Sequence, residues 1–519
     1  LTEVTSWTET DSAMDKHETL TVSADTTAVD GWRRALGDGA VSTDPQVLAR
    51  YQQNTSEYAE RDLLAVVRPA TTAEIQDVIR VARETGVAIH PISTGKNWGF
   101  GSALPVRGPV ALVDLGRLDR IVQVDQELGV AVFEPGVTQY RLAEHLRSLG
   151  GEFKLNVTGS GRETSIVGNV LEHGGGHLGP RMDELLGLEV VLGDGTLVRT
   201  GYWSFAEGEQ RGLHYPLGLG ADLRGLFVQS NFGIVTKMAL RLHRNVHFQE
   251  LALQFTGDAL ADIVDALRRL YDEGVVTGYA RIIDGADPHI RFFEHDKPAT
   301  WTAQLTLKGT AAMRAAARAG VEARLSGLIG RIDGYDTEID GPPSAEGPAD
   351  LRAARWQLAT GNPSDRSLQR LADRIGFAFP DDDADIDRYR ELPGFLCVNV
   401  AMPFTGRQVS TCARLVEEAS ARWGIPVARF FGVVGPSAFS GFFPFYFDRT
   451  DAEAVQCAHR LKNDLLACLT EHGYYPMRID VDSMEPFIAR TDSSYWTTVR
   501  KIKDALDPQM ILSPGRYCP

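Results

Sequence analysis

The stretch Pro91-Ile92-Ser93-Thr94-Gly95-Lys96-Asn97-Trp98-Gly99-Phe100-Gly101 follows a short apolar run, Val87-Ala88-Ile89, and reads as a loop leaving a strand. From Ser93 to Gly101 it packs three glycines, two hydroxyl side chains and one lysine into nine residues. Glycine lets a backbone turn tightly and come close to a ligand with no Cβ in the way. Successive free N–H groups in such a turn form a concavity that suits an anion. The spacing is neither the GxGxxG of a Rossmann unit nor the GxxxxGK[ST] of a P-loop. Taken alone, the loop is compatible with phosphate binding and with an ordinary glycine-rich connection.

Working outward, Thr71-Thr72-Ala73-Glu74 opens a helix with a hydroxyl cap and an acid in its first turn. Ile75, Val78, Ile79 and Ala82 recur at helical spacing, and Gly86 closes the pattern. Leu64-Ala65-Val66-Val67 before it and Val87-Ala88-Ile89 after it read as strands, so the segment is a βαβ unit. Val110-Ala111-Leu112-Val113-Asp114 and Ala131-Val132-Phe133-Glu134 are strand-like, and Thr138 opens a helix through Leu142 and Leu146. Gly193-Asp194-Gly195 between two apolar runs signals a hairpin. Character shifts near residue 246, where helical segments (259–271, 311–329, 411–422) mix with strands. Residues 335–350, rich in Pro, Gly and acids, predict a long surface loop.

With 519 residues the chain exceeds one compact core, so two or more domains are expected. No stretch approaches the roughly 18 apolar residues of a membrane span. A net charge of −16 argues against nucleic acid and anionic membrane surfaces as partners. The run Asp381-Asp382-Asp383-Ala384-Asp385-Ile386-Asp387 reads as a solvated loop rather than a metal site. Residues 1–28 lack the basic start and apolar core of a secretion signal and read as a disordered leader. The five cysteines form no CxxC pair and are odd in number, which fits a cytoplasmic enzyme with reduced thiols and no metal site.

Four further segments join the loop: Val67-Arg68-Pro69-Ala70-Thr71-Thr72; Ser165-Ile166-Val167-Gly168-Asn169 with Gly174-Gly175-Gly176-His177; Gln229-Ser230-Asn231-Phe232-Gly233-Ile234-Val235; and the closing Leu506-Asp507-Pro508 and Pro514-Gly515-Arg516. In this order they resemble the vanillyl-alcohol oxidase and para-cresol methylhydroxylase flavoproteins, from roughly residue 60 to the C-terminus. The resemblance implies an α+β fold. A two-subdomain FAD-binding domain would span 29–245, an inserted α+β cap 246–470, and a return to the FAD domain 471–519. It implies that Ser93, Thr94, Gly95, Lys96, Asn97, Trp98, Gly99 and Gly101 hold the FAD pyrophosphate. Pro69, Pro135, Gly136, Ser165, Gly168 and Asn169 would hold the rest of the cofactor with Gly233, Ile234, Val235 and Arg516. The implied reaction is hydride transfer from a small-molecule substrate to flavin N5, with reoxidation by oxygen or an electron-transfer protein. A homodimer or larger assembly is implied as well.

The chain also departs from that pattern. Phe100 and Met477-Arg478 stand where the family's phenol oxidases carry a tyrosine and a tyrosine–arginine pair. Ser160 takes the place of an aspartate beside N5, His177 that of a tyrosine, and residues 434–443 contain no histidine. Arg478 can still stabilise an anionic oxygen. His177 suits a general base or donor, and equally a hydrogen-bonded histidine at a sheet edge; with His173 it makes no metal pair. Phe100, Met477 and Phe443, with Phe442 and Phe445, would give an apolar pocket. The expected substrate is a small aromatic or a secondary metabolite with an acidic group. A 4-alkylphenol or vanillyl-alcohol type oxidase, and a catalytically silent flavin-binding protein, are the alternatives. A covalent flavin would attach through Cys397 counting from Pro393, whereas counting back from Pro403 puts Leu396 there; non-covalent FAD is the third option.

Overall fold

The computed structural model describes residues 14–96, 99–205, 212–285, 300–342, 351–365 and 393–519. Helix α1 (Met14–Leu36) packs on α2 (Thr72–Thr85), with Ala28, Val29 and Trp32 buried and the Trp32 indole donating to the Val78 carbonyl at 3.1 Å. Residues 14–28 of the expected leader are therefore helix, and residues 1–13 lie outside the described residues. From Met14 the chain is helical, and the spacing of 28, 29 and 32 is a helical apolar stripe that the polar composition around it concealed. Thr71 caps α2 by accepting from the Glu74 N–H, and Gly86 ends it in the left-handed conformation.

The first sheet holds β1 (Val41–Ser42), β2 (Leu63–Val67), β3 (Ile89–Ile92) and β4 (Val110–Asp114) in the order β1-β2-β4-β3. Strand β4 runs parallel to both β2 and β3, so the expected βαβ unit wraps around a strand supplied later in the chain. The second sheet is antiparallel. It orders β5 (Ile121–Asp125), β6 (Val130–Phe133), β7 (Leu185–Leu192), β8 (Leu197–Arg199) and β9 (Gly233–Arg241) as β8-β7-β9-β6-β5. The short helix α3 (Ile166–Leu171), capped by Ser165, lies at the boundary between these sheets and the cavity below.

The third sheet comprises β10 (Phe248–Thr256), β11 (Ala280–Asp284), β12 (Thr300–Lys308), β13 (Arg331–Asp336), β14 (Gly394–Pro403), β15 (Phe430–Gly435), β16 (Ala438–Phe447) and β17 (Tyr475–Arg478). Their order is β13-β10-β12-β11-β15-β16-β14-β17. Helices α4 (Leu260–Asp272), α6 (Gly406–Trp423) and α7 (Ala452–Glu471) bury Ile263, Leu267, Val409, Val416, Leu461 and Leu465 against one face of it. The other face looks into the cavity, together with α5 (Leu351–Ala359). Two expectations shift here. Tyr335 and Asp336 are strand, pairing with Glu250 and Gln249, so the loop predicted from 335 starts later. The return predicted at 471 also comes later, because Tyr475 to Arg478 still pairs with β14. The acidic run 381–387 lies outside the described residues. Among the described residues no helix is long and apolar enough to cross a membrane.

Candidate active site

A cavity of about 700 Å³ opens between the cap sheet and the first two sheets. Ser93, Thr94, Gly95 and Lys96 line it from the loop after β3, Ser165, Gly168 and Asn169 from the start of α3, and Gly233, Ile234 and Val235 from β9. Pro135 and Arg516 complete this side. Gly168 marks a close approach, since a Cβ there would lie 2.7 Å from Ser93 Oγ. Arg516 pairs with Glu172, which also accepts from the Tyr517 hydroxyl at 2.7 Å. Burial opposes the Glu172 charge, yet Arg516 and Arg478 hold its carboxyl below the ordinary value. Asn231 donates to the Ser513 carbonyl at 3.1 Å while its buried Oδ1 has no hydrogen-bond partner. A buried amide oxygen left unsatisfied in this way is a receptor for a bound donor. A backbone cradle, hydroxyls, a lysine, an arginine and an orphaned amide together fit a dinucleotide with two phosphates.

Other members of the predicted cofactor set hold the loop rather than line the cavity. Gly99 and Gly101 have φ of 74° and 64°, a region that disfavours side chains. A Cβ on Gly99 would meet Cys397 Sγ at 2.7 Å and the Phe395 ring at 2.8 Å. The Gly99 N–H donates to Ser56 Oγ at 3.0 Å, and the Tyr58 hydroxyl donates to the Gly99 carbonyl at 3.1 Å. Gly99 also bridges Leu396 of the cap. Gly136 sits against the Gly116 carbonyl, where a Cβ would lie at 2.5 Å, and Pro69 is buried off the cavity wall. Asn97 and Trp98 lie outside the described residues.

On the cap side, Arg478 stacks over the Phe100 ring at 4.4 Å, and its buried Nε has no hydrogen-bond partner among the described residues. Met477 lines the cavity beside it and accepts from Gln229 Nε2 at 2.6 Å through its carbonyl. Phe443, expected in the pocket, is instead fully buried in the cap core, stacked edge-on against Phe431. Successive strand side chains point to opposite faces, so Phe442 lines the cavity while Phe443 and Phe445 turn away from it. The same alternation separates the two candidate tether positions. Cys397 faces the cavity beside Phe100 and Phe395, and Leu396 faces the core. Burial pushes the Cys397 thiol far above its usual range.

His177 and Ser160 also reach the cavity. Ser160 shares a hydrogen bond with Thr164 at 2.8 Å. His177 Nε2 sits 3.7 Å from Glu250 Oε1, too far for a hydrogen bond, and is buried without a partner. Burial lowers its pKa to about 4, with Arg281 and Arg355 adding to the effect, so the imidazole is neutral at ordinary pH. Glu250 accepts from Thr306 at 2.6 Å and from Arg355 at 2.9 Å. Against the cost of burial, Arg355 and the Thr306 hydroxyl bring its carboxyl down to about 2.

Sequence reasoning missed Tyr279, Arg281, Arg355 and Tyr446, all on the cavity wall. Tyr279 and Arg281 flank Ala280 at strand spacing, a polar alternation that was the available signal. Thus tyrosines do line the cavity, from elements other than those of the expected pattern.

Residues 63–201 match the FAD binding domain family. Over 94% of this chain and 96% of that protein, the sequence is 29% identical to 1'-carboxy-chondrochloren decarboxylase of Chondromyces crocatus. It is 26% identical to the 4-cresol dehydrogenase [hydroxylating] flavoprotein subunit of Pseudomonas putida, over 94% of each chain. The structure superposes on p-cresol methylhydroxylase with substrate bound at a TM-score of 0.82, with 24% identity over 95% of this chain and 97% of that one. On 4-ethylphenol oxidase from Gulosibacter chungangensis the TM-score is 0.83, with 22% identity over 96% and 97%. Residues 63–201 are thus an FAD-binding domain, the fold is the one p-cresol methylhydroxylase has, and the chain is an FAD-linked oxidase or dehydrogenase that resembles the vanillyl-alcohol oxidase and para-cresol methylhydroxylase flavoproteins.

Proposed function

We propose that the protein oxidises an aromatic substrate carrying an acidic group, at a carbon activated by the ring or by an adjacent oxygen. Bound FAD supplies the acceptor for the hydride. The observation that carries this reading is Arg478, whose guanidinium stacks on Phe100 at the cavity wall with Nε unpaired among the described residues. In that position it stabilises negative charge developing on a substrate oxygen as the C–H bond breaks. The neutral imidazole of His177 takes up, at Nε2, the proton that the hydroxyl on the oxidised carbon gives up as the hydride leaves, and Glu250 at 3.7 Å steadies the cation so formed. Phe430, Phe442 and Phe100 exclude water from the ring of the substrate. The carboxylated substrate named for the decarboxylase relative supports an acid function. Reoxidation falls to oxygen or to an electron-transfer protein. FAD is held non-covalently in this reading, and Cys397, on the cavity wall, is the side chain to examine for a covalent link.

Tyr279 and Tyr446 on the same wall favour a second reading, oxidation of a simple 4-alkylphenol. Anaerobic addition of substrate to the yellow holoenzyme tests both. Bleaching by hydroxyaryl acids, with slow or absent bleaching by 4-ethylphenol and vanillyl alcohol, supports the first. Rapid bleaching by 4-ethylphenol establishes the second. No bleaching by any of them refutes both.

A further inference from the structure

We infer that Arg281 forms a second anion site, and that it takes a carboxylate on the side chain of an aryl substrate whose other end lies at Arg478. This rests on the aromatic-substrate reading above and adds the class of group at the far end. Arg478 pairs with Asn399, Asn399 with Phe442, Phe442 with Phe430, and Phe430 with Ile283. Arg281 is two residues from Ile283 on the same strand, so the two arginines emerge on the same face of the cap sheet. Four strand spacings separate β11 from β17, ~19 Å across the sheet at ~4.8 Å each. Between them lie Phe430, Phe442 and Asn399 in one row and Gly432 and Ser440 in the next, all on the cavity wall. After both side chains reach inward, the remaining floor suits a ring and a short chain.

Arg281 is set up for a ligand rather than for the protein. Among the described residues it makes no ion pair. Its Nε donates to the neutral amide of Gln304 at 2.5 Å, and its Nη2 is 3.5 Å from His177 Nδ1. Glu250, the nearby acid, is engaged by Arg355 and Thr306. A guanidinium withdrawn from water without an anion is costly, and burial holds the Arg281 pKa below its ordinary value. A carboxylate meets that need with a planar edge matched to the guanidinium fork. A dianionic phosphate would call for more than one free cation at this end.

The test uses the FAD-loaded enzyme with 4-hydroxyphenylpropanoate and its primary amide, two probes of the same shape. Binding is read anaerobically from perturbation of the flavin spectrum at neutral pH. The acid is expected to bind at least about tenfold more tightly than the amide. Arg281→Gln should bring the acid down to the affinity of the amide, and Arg281→Lys should keep part of the gap. Equal binding of acid and amide by the wild-type enzyme overturns the inference. So does a gap that survives in Arg281→Gln, or binding of neither probe. If Arg281→Gln does not fold, the wild-type gap and the Arg281→Lys variant decide. Bleaching of the flavin by both probes with no affinity gap would remove the carboxylate site and leave the oxidation reading standing. An affinity gap without bleaching by any aryl probe would do the reverse.

Discussion

Gly99→Ala is the sharpest perturbation this fold offers, because Gly99 is where the cofactor loop touches the cap. Its φ of 74° is left-handed, which costs an L residue roughly 1–2 kcal/mol. The added methyl would lie 2.7 Å from Cys397 Sγ and 2.8 Å from the Phe395 ring. Both neighbours are buried, and overpacking of that kind costs about 1–3 kcal/mol. The sum, about 2–5 kcal/mol, is a large share of the stability of a typical domain. Urea denaturation of the FAD-free protein, followed by far-UV circular dichroism, measures it directly. FAD affinity should fall as well, since displacing Gly99 moves the loop that carries Ser93 to Lys96. Cys397→Ala in the same chain removes one of the two clashes and should recover only part of the loss. A Gly99→Ala protein within about 0.5 kcal/mol of wild type, with unchanged FAD affinity, would show that the loop and the cap strand are not in contact.

Arg478→Met should slow anaerobic flavin reduction at saturating substrate by about 30- to 1,000-fold, the value of one preorganised donor of about 2–4 kcal/mol, while the FAD content stays near that of wild type. Stopped-flow absorbance checks the rate. Glu250→Gln removes the carboxylate that Arg355 donates to at 2.9 Å, and truncating a buried pair costs about 3–5 kcal/mol, read as a lower urea midpoint. The buried histidines set an acid limit. Burial lowers His177 to about 4 and His90 to about 3, against an ordinary value of 6.5. Between those values the unfolded chain binds more protons than the folded one, so stability is level above about pH 6.5 and falls as the pH drops toward 4. His177 alone accounts for about 3 kcal/mol of that loss. A urea midpoint that holds constant from neutrality down to pH 4.5 would contradict the neutral buried imidazole.

Much of the cofactor half was legible in the sequence, because its signals are local. The Thr71 cap, the 75-78-79-82 stripe and Gly86 lie within one helix, and structure reproduces each of them. The cradle residues Ser93, Gly168 and Ile234 sit in short motifs whose order carries the information. The substrate half was less legible. Phe442 and Phe443 are adjacent in a strand rich in aromatics, and only pairing with β14 and β15 decides which one faces the cavity. Leu396 and Cys397 pose the same one-residue question, which sequence counting could not settle because parity belongs to the sheet. Arg281, Arg355 and His177 converge from a strand, a helix and a loop far apart in the chain, and no spacing rule joins them. The α1 helix was hidden for another reason. Its buried face is short, and polar composition outweighed it.

The cap and the segment that follows it are tied to the cofactor loop and its neighbours at several points. Gly99 bridges Leu396, the Val481 N–H donates to the Phe100 carbonyl at 2.9 Å, and the Phe395 N–H donates to the Thr55 carbonyl at 2.9 Å. Backbone bonds of this kind do not part and re-form cheaply at every turnover. The roof over the reaction chamber is therefore a fixed ceiling and not a swinging door. Loss of the cap's grip on the loop, as in Gly99→Ala, therefore unsettles the floor and the ceiling of the chamber together.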